Sequence, residues 1–244
     1  MALDLQNLPQ HVAIIMDGNR RWAREHGKLA AEGHRYVVDN VIESLVDHCI
    51  ELGIPNLTLW AFSTENWERD KAELQAMMKL FRYGLSKKVE TLHEKGVCLR
   101  VLGELERFPK DIAEQSYQMM DLTKDNEKIT VTFALNYGGR DEIIRAANRY
   151  LSAQMEQLET IEEGDELELG FDESEFGEFL DTVGIPDPDL IIRPGGQLRL
   201  SGFMPWQAVY AELYFTDVLM PDFSNEEFDK ALEAYQNRQR RFGR

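Results

Sequence analysis

A short stretch near the start of the chain combines the groups needed to bind phosphate and a divalent cation. Apolar residues 12–16 predict a strand buried on both faces. The residues that follow it are Asp17, Gly18, Asn19, Arg20, Arg21 and Trp22. Arginines suit phosphate oxygens, glycine lets the backbone approach a ligand, and a carboxylate beside them suggests a bridging cation. The stretch therefore indicates a metal–diphosphate site, although Asp-Gly-Asn is also common turn chemistry after an ordinary strand.

Two further predicted strands end in polar and basic residues. Residues 57–62 lead into Ser63, Thr64, Glu65, Asn66, Trp67 and Arg69, and residues 189–192 lead into Arg193, Arg199, Leu200 and Ser201. The carboxyl ends of parallel strands meet at one edge of a sheet, so these groups are expected to converge with Asp17. Arg21, Arg69, Arg193 and Arg199 would then form an anion pocket, and Gly195-Gly196 would let the backbone approach a phosphate. The alternative is that the arginines form surface ion pairs with the many glutamates.

The elements that must position these residues alternate along the chain. Strands are predicted at residues 12–16, 57–62, 97–102, 129–135, 189–192 and 213–215, and helices at 19–26, from 35, 71–95, 111–121, from 141 and from 225. Residues 28–34 and 103–108 are predicted to be loops, and 155–173 a solvated acidic segment. The pattern predicts one α/β domain over residues 11–244 after a short arm at 1–10. Its fold is a six-stranded, mostly parallel sheet with helices on both faces.

Composition limits the function classes. The 244 residues are 43% hydrophobic and 29% charged, which indicates a globular domain. A net charge of −17 argues against nucleic-acid binding, yet leaves room for a local basic pocket. Cys49 and Cys98 lie in apolar patterns and lack the spacing of metal ligands. They are expected to be buried thiols of a cytosolic protein. Residues 1–10 are too polar for a signal peptide and no run is long enough to span a membrane, so a cytoplasmic location is expected.

Several long motifs occur in a defined order. They are HVAIIMDGNRRWA at 11–23, Gly33-His34, AFSTENW at 61–67, NYGGR at 136–140, Ile192-Arg193 with Arg199-Leu200-Ser201, and ELYFTD at 212–217. In this order they resemble the cis-prenyltransferases, whose best-known member type is undecaprenyl diphosphate synthase. The resemblance covers residues 11–243, which is essentially the whole chain.

The resemblance implies a Mg2+-dependent transferase that condenses isopentenyl diphosphate with an allylic diphosphate, such as farnesyl or geranyl diphosphate. The product would be a cis-polyprenyl diphosphate. A homodimer is also expected from the family, as is peripheral membrane association through the lipid product. Ionisation of the allylic substrate releases diphosphate, and Mg2+ and arginines stabilise such a developing anion.

Individual roles follow from the family pattern. Asp17 would hold Mg2+ at the allylic diphosphate, and Glu212 matches the second acidic metal position. The phosphates would meet Gly18, Asn19, Arg20 and Arg21, and Trp22 would help to form the allylic site. Arg193, Arg199, Leu200 and Ser201 match the isopentenyl diphosphate pocket. Ser63, Asn66 and His34 match groups around proton removal, and Thr64, Glu65, Trp67 and Arg69 match neighbouring substrate-contact positions.

The growing chain requires an apolar tunnel. Two amphipathic helices, predicted from residues 37–50 and 74–92, are suited to form its walls. The second carries a methionine and aromatic stripe that includes Met77, Phe81 and Leu85. Such a stripe usually belongs to the hydrophobic core, but the resemblance implies that here it also serves in part as a wall of the tunnel.

The chain also departs from the family pattern near the phosphate pockets. Ala30 stands where an arginine is usual, and Tyr36 and Val37 stand where a glycine is usual. Pro194, Gln197 and Gly202 replace a small hydroxyl residue, a glutamate and an asparagine. Three functions therefore stay open: ordinary cis elongation, a short or branched (head-to-middle) condensation, and a non-catalytic partner subunit. The retained Asp17, Arg21, Arg193, Arg199 and Glu212 disfavour the last.

Overall fold

A single parallel sheet organises the computed structural model, which describes residues 3–160 and 170–238. Within these residues six strands pair in the order β3–β4–β2–β1–β5–β6, and all five pairings are parallel. The strands are β1 (His11–Ile15), β2 (Asn56–Ser63), β3 (Val97–Leu102), β4 (Ile129–Tyr137), β5 (Leu190–Arg193) and β6 (Glu212–Phe215). The predicted α/β class and strand number are confirmed.

Helices connect the strands. They are α1 (Asn19–Glu25), α2 (Ala30–Tyr36), α3 (Ile42–Leu52), α4 (Lys71–Lys87), α5 (Val89–Glu94), α6 (Lys110–Thr123), α7 (Gly139–Thr160), α8 (Glu173–Gly177) and α9 (Asn225–Gln236). A π-helical turn, Val37–Val41, joins α2 to α3, and 3-10 turns lie at Thr64–Glu68, Leu105–Arg107 and Met220–Asp222. No helix in the described part of the chain is both long and apolar enough to cross a membrane.

Two local predictions are wrong. Residues 28–34 are not a loop, because α2 begins at Ala30, where the Leu29 N–H donates to the Glu32 carboxylate at 2.8 Å. The helix predicted over 71–95 is two helices that meet at Lys88. In the segment predicted to be solvated, residues 155–157 and 170–173 are exposed as expected; α7 continues to Thr160, α8 begins at Glu173, and 161–169 lie outside the described residues.

The two faces of the sheet carry separate cores. On one face, strand residues such as Val12 and Leu57 pack against α3, α5, α6 and α9. On the other, Ala13 and Tyr137 pack against the buried side chains of Phe203 and Met204. Central strands are therefore buried on both sides, which is why β1 reads as a continuous apolar run.

The strand order determines where a ligand can bind. The chain leaves β1 toward β2 on one side, whereas β5 lies on the other side of β1 and continues to β6. Crevices at the carboxyl ends of strands where the order reverses are the usual ligand sites of open α/β sheets. In this sheet that crevice lies between Asp17, which follows β1, and Arg193, which ends β5.

The close packing of α1 on α2 depends on a glycine. A Cβ atom at Gly33 would lie 2.1 Å from the main-chain oxygen of Asn19. This approach sets the next residue, His34, beside the crevice. Gly84 in α4 differs, because no heavy atom lies within 4 Å of the position that its Cβ would take.

These two glycines give opposite expectations for stability. Gly33→Ala must displace a main-chain oxygen, so it should lower the free energy of unfolding by roughly 1–3 kcal/mol. Gly84→Ala, the matched control in open space within a helix, should raise it by about 0.5–1 kcal/mol. Urea denaturation measures both. Equal effects of the two substitutions would contradict the helix packing described here.

Candidate active site

The centre of the site is an ion pair between β1 and β5. Nη2 of Arg193 lies 2.9 Å from Oδ2 of Asp17, and Nη1 donates to the Ser201 hydroxyl at 2.8 Å and to the Arg199 carbonyl. The Arg193 side chain is 6% exposed, whereas that of Asp17 is 33% exposed. Nε of Arg193 is buried and has no partner among the described residues. A buried guanidinium with an unused donor is suited to receive an anion.

The turn after β1 presents main-chain donors. Gly18 caps α1 with a φ of 101°, a conformation that favours glycine, and its N–H donates to Oδ1 of Asp17 at 2.7 Å. The first N–H groups of a helix have no intrahelical acceptor and attract anions. Nδ2 of Asn19 donates to the Met16 carbonyl at 2.8 Å, while its buried Oδ1 has no partner within the described chain.

One glutamate holds two of the predicted arginines. Oε1 of Glu73 lies 2.9 Å from Nη1 of Arg69 and 3.5 Å from Nε of Arg20, and the Glu73 side chain is only 10% exposed. The sequence reasoning missed Glu73. Its four-residue spacing from Arg69 at the start of α4 was the available signal. Arg21 is held separately, by donation to the Gly195 carbonyl at 2.6 Å.

The 3-10 turn after β2 is stabilised by its own side chains. Oδ1 of Asn66 accepts the Ser63 N–H at 3.1 Å, which ties the start of the turn to its third residue. The indole of Trp67 packs edge-on against Phe62, with ring centroids 5.0 Å apart. Trp67 therefore anchors the turn in the core, and Ser63 and Asn66 remain at the crevice.

His34 is kept neutral by its surroundings. Burial, and then the positive charges of Arg69 and Arg20, lower the pKa of His34 to about 4. Its Nε2 atom is buried and has no partner among the described residues. At neutral pH His34 thus presents an uncharged imidazole to the crevice.

The glycine pair after β5 does not act as expected. The sequence suggested that Gly195-Gly196 allow a backbone approach to phosphate. The N–H of Gly195 instead donates to the Val218 carbonyl at 2.7 Å, and that of Gly196 to the Thr216 carbonyl at 2.8 Å. These amides are used within the fold, so charge on this side comes from Arg193 and from Arg199, whose Nη1 donates to Gln197 at 2.7 Å.

A cavity of about 530 Å³ begins at the crevice and extends between the helices. The two helical segments predicted as walls both line it, through Val37, Val38 and Ile42 on one side and Met77, Phe81 and Leu85 on the other. Strand residues that include Leu99, Phe133 and Leu135 complete an apolar lining. The cavity therefore joins a polar, charged mouth to an apolar interior.

The predicted site residues other than Glu212 fall into two groups. Those that line the cavity are Asp17, Asn19, His34, Ser63, Glu65, Asn66, Arg69, Arg193 and Ser201. Those that surround or support it without lining it are Gly18, Arg20, Arg21, Trp22, Thr64, Trp67, Arg199 and Leu200. Trp22, for example, is buried against Leu219 and donates to Asp222 at 2.8 Å. Asp222 is a support that the sequence did not reveal.

Glu212 is not brought to this edge of the sheet. It is the first residue of β6, level with Leu190 and hence with Val12, and its carboxylate accepts from Arg238 at 2.5 Å. Asp17 lies five positions beyond Val12, which corresponds to about 17 Å along a strand. Within one chain this separation is too large for Asp17 and Glu212 to hold the same ion.

The donors at the crevice fit Mg2+ only when a substrate contributes. No group of three or more acidic, histidine or cysteine side chains that could hold a metal exists in the described part of the chain. Mg2+ commonly binds through one or two carboxylates together with substrate phosphates. Asp17, with a partly exposed carboxylate at the cavity mouth, fits such an arrangement.

Comparison with known proteins identifies the family. Residues 15–243 match the Prenyltransf family model, whose description names undecaprenyl diphosphate synthase. The chain is 44% identical to an isoprenyl transferase of Aquifex aeolicus over 97% of its own length and 96% of that protein's. The chain belongs to the prenyltransferase family.

Further relatives show the range of activities within this family. A ditrans,polycis-undecaprenyl-diphosphate synthase, (2E,6E)-farnesyl-diphosphate specific, from Haemophilus influenzae is 42% identical over 99% of this chain and 98% of that protein. The structure of lavandulyl diphosphate synthase from Lavandula x intermedia, in complex with dimethylallyl diphosphate, superposes with a TM-score of 0.87. It is 35% identical and covers 97% of this chain and 99% of that one. This prenyltransferase therefore shares its fold with the lavandulyl diphosphate synthase and aligns with these relatives over nearly their whole length.

The pKa of His34 in this prenyltransferase can be tested directly. Arg69→Gln removes a nearby positive charge, so the pKa of His34 should rise from about 4 toward 6.5 in an NMR titration. Arg82→Gln, which removes the same charge from the exposed side of α4, is the control and should leave it unchanged.

The same shift predicts how stability depends on pH. The folded state disfavours protonation of His34, so its contribution to the unfolding free energy is complete above pH 6.5 and is lost as the pH falls toward 4. An ordinary pKa for His34 in the natural chain would show that the site is open to water.

Proposed function

We propose that this prenyltransferase condenses isopentenyl diphosphate with an allylic diphosphate, with Mg2+ bound at Asp17, to form a cis-polyprenyl diphosphate. One observation carries the proposal: the Asp17–Arg193 pair, Asn66 and Arg69 lie together at the mouth of an apolar cavity. A charged mouth and an apolar interior match the two ends of a prenyl diphosphate. Membership of the family supports the same reaction type.

On the allylic side, Arg20, Arg21 and the N-terminal amides of α1 would bind the diphosphate. Mg2+ held by Asp17 would neutralise the charge that develops on the departing diphosphate. The arginines are already positioned, by Glu73 and by the Gly195 carbonyl, so little reorganisation is needed when that charge appears.

On the isopentenyl side, Arg193, Arg199 and Ser201 would hold the second diphosphate next to the first. The allylic C1–O bond breaks, C4 of isopentenyl diphosphate forms a bond to C1, and a proton leaves C2. Neutral His34, with Ser63 and Asn66 nearby, supplies polar atoms around that proton. The products are the extended diphosphate, free diphosphate and the proton.

The apolar cavity would serve as the tunnel for the growing chain. Its lining by the two predicted wall helices supports this role, because each added isoprene unit is then buried away from water. The methionine and aromatic stripe of α4 thus has a function beyond packing.

A second mode of condensation is favoured by two observations together. The close likeness to lavandulyl diphosphate synthase, together with the departures at Ala30, Pro194, Gln197 and Gly202, supports a short or branched product as the alternative. A non-catalytic role is disfavoured, because Asp17, Arg193 and the positioned arginines are all retained.

The proposal includes a cytoplasmic homodimer that associates with membranes through its lipid product. An exposed apolar stripe on α7, formed by Ile144, Leu151 and Met155, supports contact with a second copy. Its spacing places the three side chains on one face of the helix.

Asp17→Asn tests the proposed reaction. The substitution keeps the size of the side chain but removes the charge, so kcat/KM for condensation should fall on the order of 10²–10³-fold. Asp111→Asn, which also removes a carboxylate paired with an arginine but on the surface, is the control and should retain activity. Labelled isopentenyl diphosphate with a series of allylic primers provides the assay, with and without a chelator. Wild-type turnover by Asp17→Asn, or full activity without Mg2+, would refute the metal assignment.

Ala30→Arg tests whether the departures alter substrate handling. The departure removes a charge-assisted contact worth about 1.5–3 kcal/mol, so restoring arginine should tighten allylic binding roughly ten- to a hundredfold. Leu29→Arg adds the same charge at a neighbouring, 75% exposed position and should have little effect. Mass spectrometry of the products separates cis elongation from short or branched condensation. If the natural chain already gives long cis products with ordinary KM values, the departures are neutral.

A further inference from the structure

The turn after β4 lies between the two segments that carry the proposed substrate-binding residues. It consists of Asn136 and Tyr137, the last residues of β4, Gly138, and Gly139, the first residue of α7, and we refer to these four residues as the β4 turn. None of the four residues lines the cavity. The proposed chemistry therefore gives them no role, although they form one of the long motifs of the sequence.

On one side, the β4 turn holds the segment that carries Ser63, Asn66 and Arg69. Oδ1 of Asn136 accepts from the indole N–H of Trp67 at 2.7 Å, while its Nδ2 donates to the Glu104 carbonyl at 2.9 Å. Asn136 is buried with a φ of 50°, which asparagine tolerates better than most residues. Its amide is thus fixed between two loops.

Gly138 lets the β4 turn approach the segment after β2 closely. A Cβ atom at this position would lie 2.6 Å from the hydroxyl oxygen of Thr64. Thr64 does not line the cavity, so its side chain serves as the surface on which the β4 turn rests. A side chain at 138 must displace the Thr64 side chain, and we expect the Thr64–Glu68 turn, with Asn66, to shift with it.

On the other side, Gly139 holds the segment that carries Ser201. Its N–H donates to the Gly202 carbonyl at 2.8 Å, and a Cβ atom there would lie 1.9 Å from Cδ of Pro205. Phe203, which lies between Gly202 and Pro205 in the sequence, stacks on Trp60 with ring centroids 5.0 Å apart.

The segment held by Gly139 is strained. Ser201 has a φ of 54° and Met204 a φ of 47°, and such values outside glycine cost energy that surrounding contacts must offset. The strained conformation places the Ser201 hydroxyl 2.8 Å from Nη1 of Arg193. Loss of the Gly139 contact would therefore release a direct partner of the central arginine.

We propose that Asn136, Gly138 and Gly139 are positioning residues that fix the distance between the groups around the departing proton and the pocket for the isopentenyl diphosphate. Gly138 and Asn136 place the turn that contains Asn66, and Gly139 places Ser201, the partner of Arg193. The proposal rests on the proposed condensation. Its consequence is that the two glycines affect different kinetic parameters.

The test compares Gly138→Ala with Gly139→Ala in steady-state kinetics. Displacement of the Thr64–Glu68 turn should lower kcat roughly 10- to 100-fold, with the KM for isopentenyl diphosphate within about twofold of the natural value. Gly139→Ala should mainly raise that KM. Gly177→Ala is the matched control, since no heavy atom lies within 4 Å of its added Cβ and α8 is remote from the cavity.

Second-site substitutions distinguish positioning from general destabilisation. Thr64→Ala removes the atom that Gly138→Ala would strike, and Pro205→Ala removes the ring atoms that Gly139→Ala would strike. Each should restore the parameter lost by its own partner and not by the other. Asn136→Asp, which keeps an acceptor for Trp67, should retain more of kcat than Asn136→Ala does.

The unfolding free energies of the same variants give a readout that needs no activity. The pairs 138 with 64 and 139 with 205 should be coupled in double-mutant cycles, whereas the crossed pairs should be additive. If the natural chain does not condense the substrates, the proposed function fails while these couplings still test the contacts. The proposal is overturned if both glycine variants change kcat and KM to the same extent. It is also overturned if Pro205→Ala rescues Gly138→Ala or Thr64→Ala rescues Gly139→Ala.

Discussion

The buried charge of Arg193 is the constraint on which the site depends. A guanidinium that is 6% exposed at the end of a buried strand needs an opposite charge and hydrogen-bond acceptors close to it. Asp17 supplies the opposite charge from the neighbouring strand, and Ser201 and the Arg199 carbonyl supply acceptors from the following loop. Meeting this requirement draws together the ends of β1 and β5 and the strained segment at 201–204. These are the parts that the proposed reaction needs next to one another.

Positive charge is concentrated at this edge of an otherwise acidic protein. The net charge is −17, yet Arg20, Arg69 and Arg193 converge near one crevice. Glu73 makes this possible, because one nearly buried carboxylate holds two arginines that would otherwise repel each other. The same two arginines help to keep His34 neutral. A single carboxylate thus shapes both the anion-binding groups and the state of the imidazole.

The cavity and the crevice impose complementary demands on a ligand. The mouth stabilises negative charge, whereas the interior, lined by residues such as Val37, Phe81 and Leu135, favours hydrocarbon. A prenyl diphosphate satisfies both with one molecule. Closely packed glycines allow this proximity: Gly33 brings α2 onto α1, and Gly138 and Gly139 let two loops meet behind the site.

Much of the architecture could be predicted from local patterns. The apolar run of β1 identified a buried strand, and strand–helix alternation identified a parallel sheet, because burial and secondary structure leave a regular signal in the sequence. Helix boundaries were less predictable. The start of α2 at Ala30 depends on the Glu32 cap and on packing against α1. Neither leaves a periodic pattern of apolar residues in the sequence.

Only the tertiary structure decided which chemical groups meet. Strand order placed Arg193 beside Asp17, and register placed Glu212 at the opposite end of the sheet, although both belong to motifs of the same family pattern. Glu73 and Asn136 matter because of contacts with residues on other elements. The amides of Gly195 and Gly196 are not free to bind phosphate, because they donate to main-chain carbonyls. The physical reason is that a sequence pattern reports how each segment buries its own side chains. Distances between strand ends depend on how all the segments pack together.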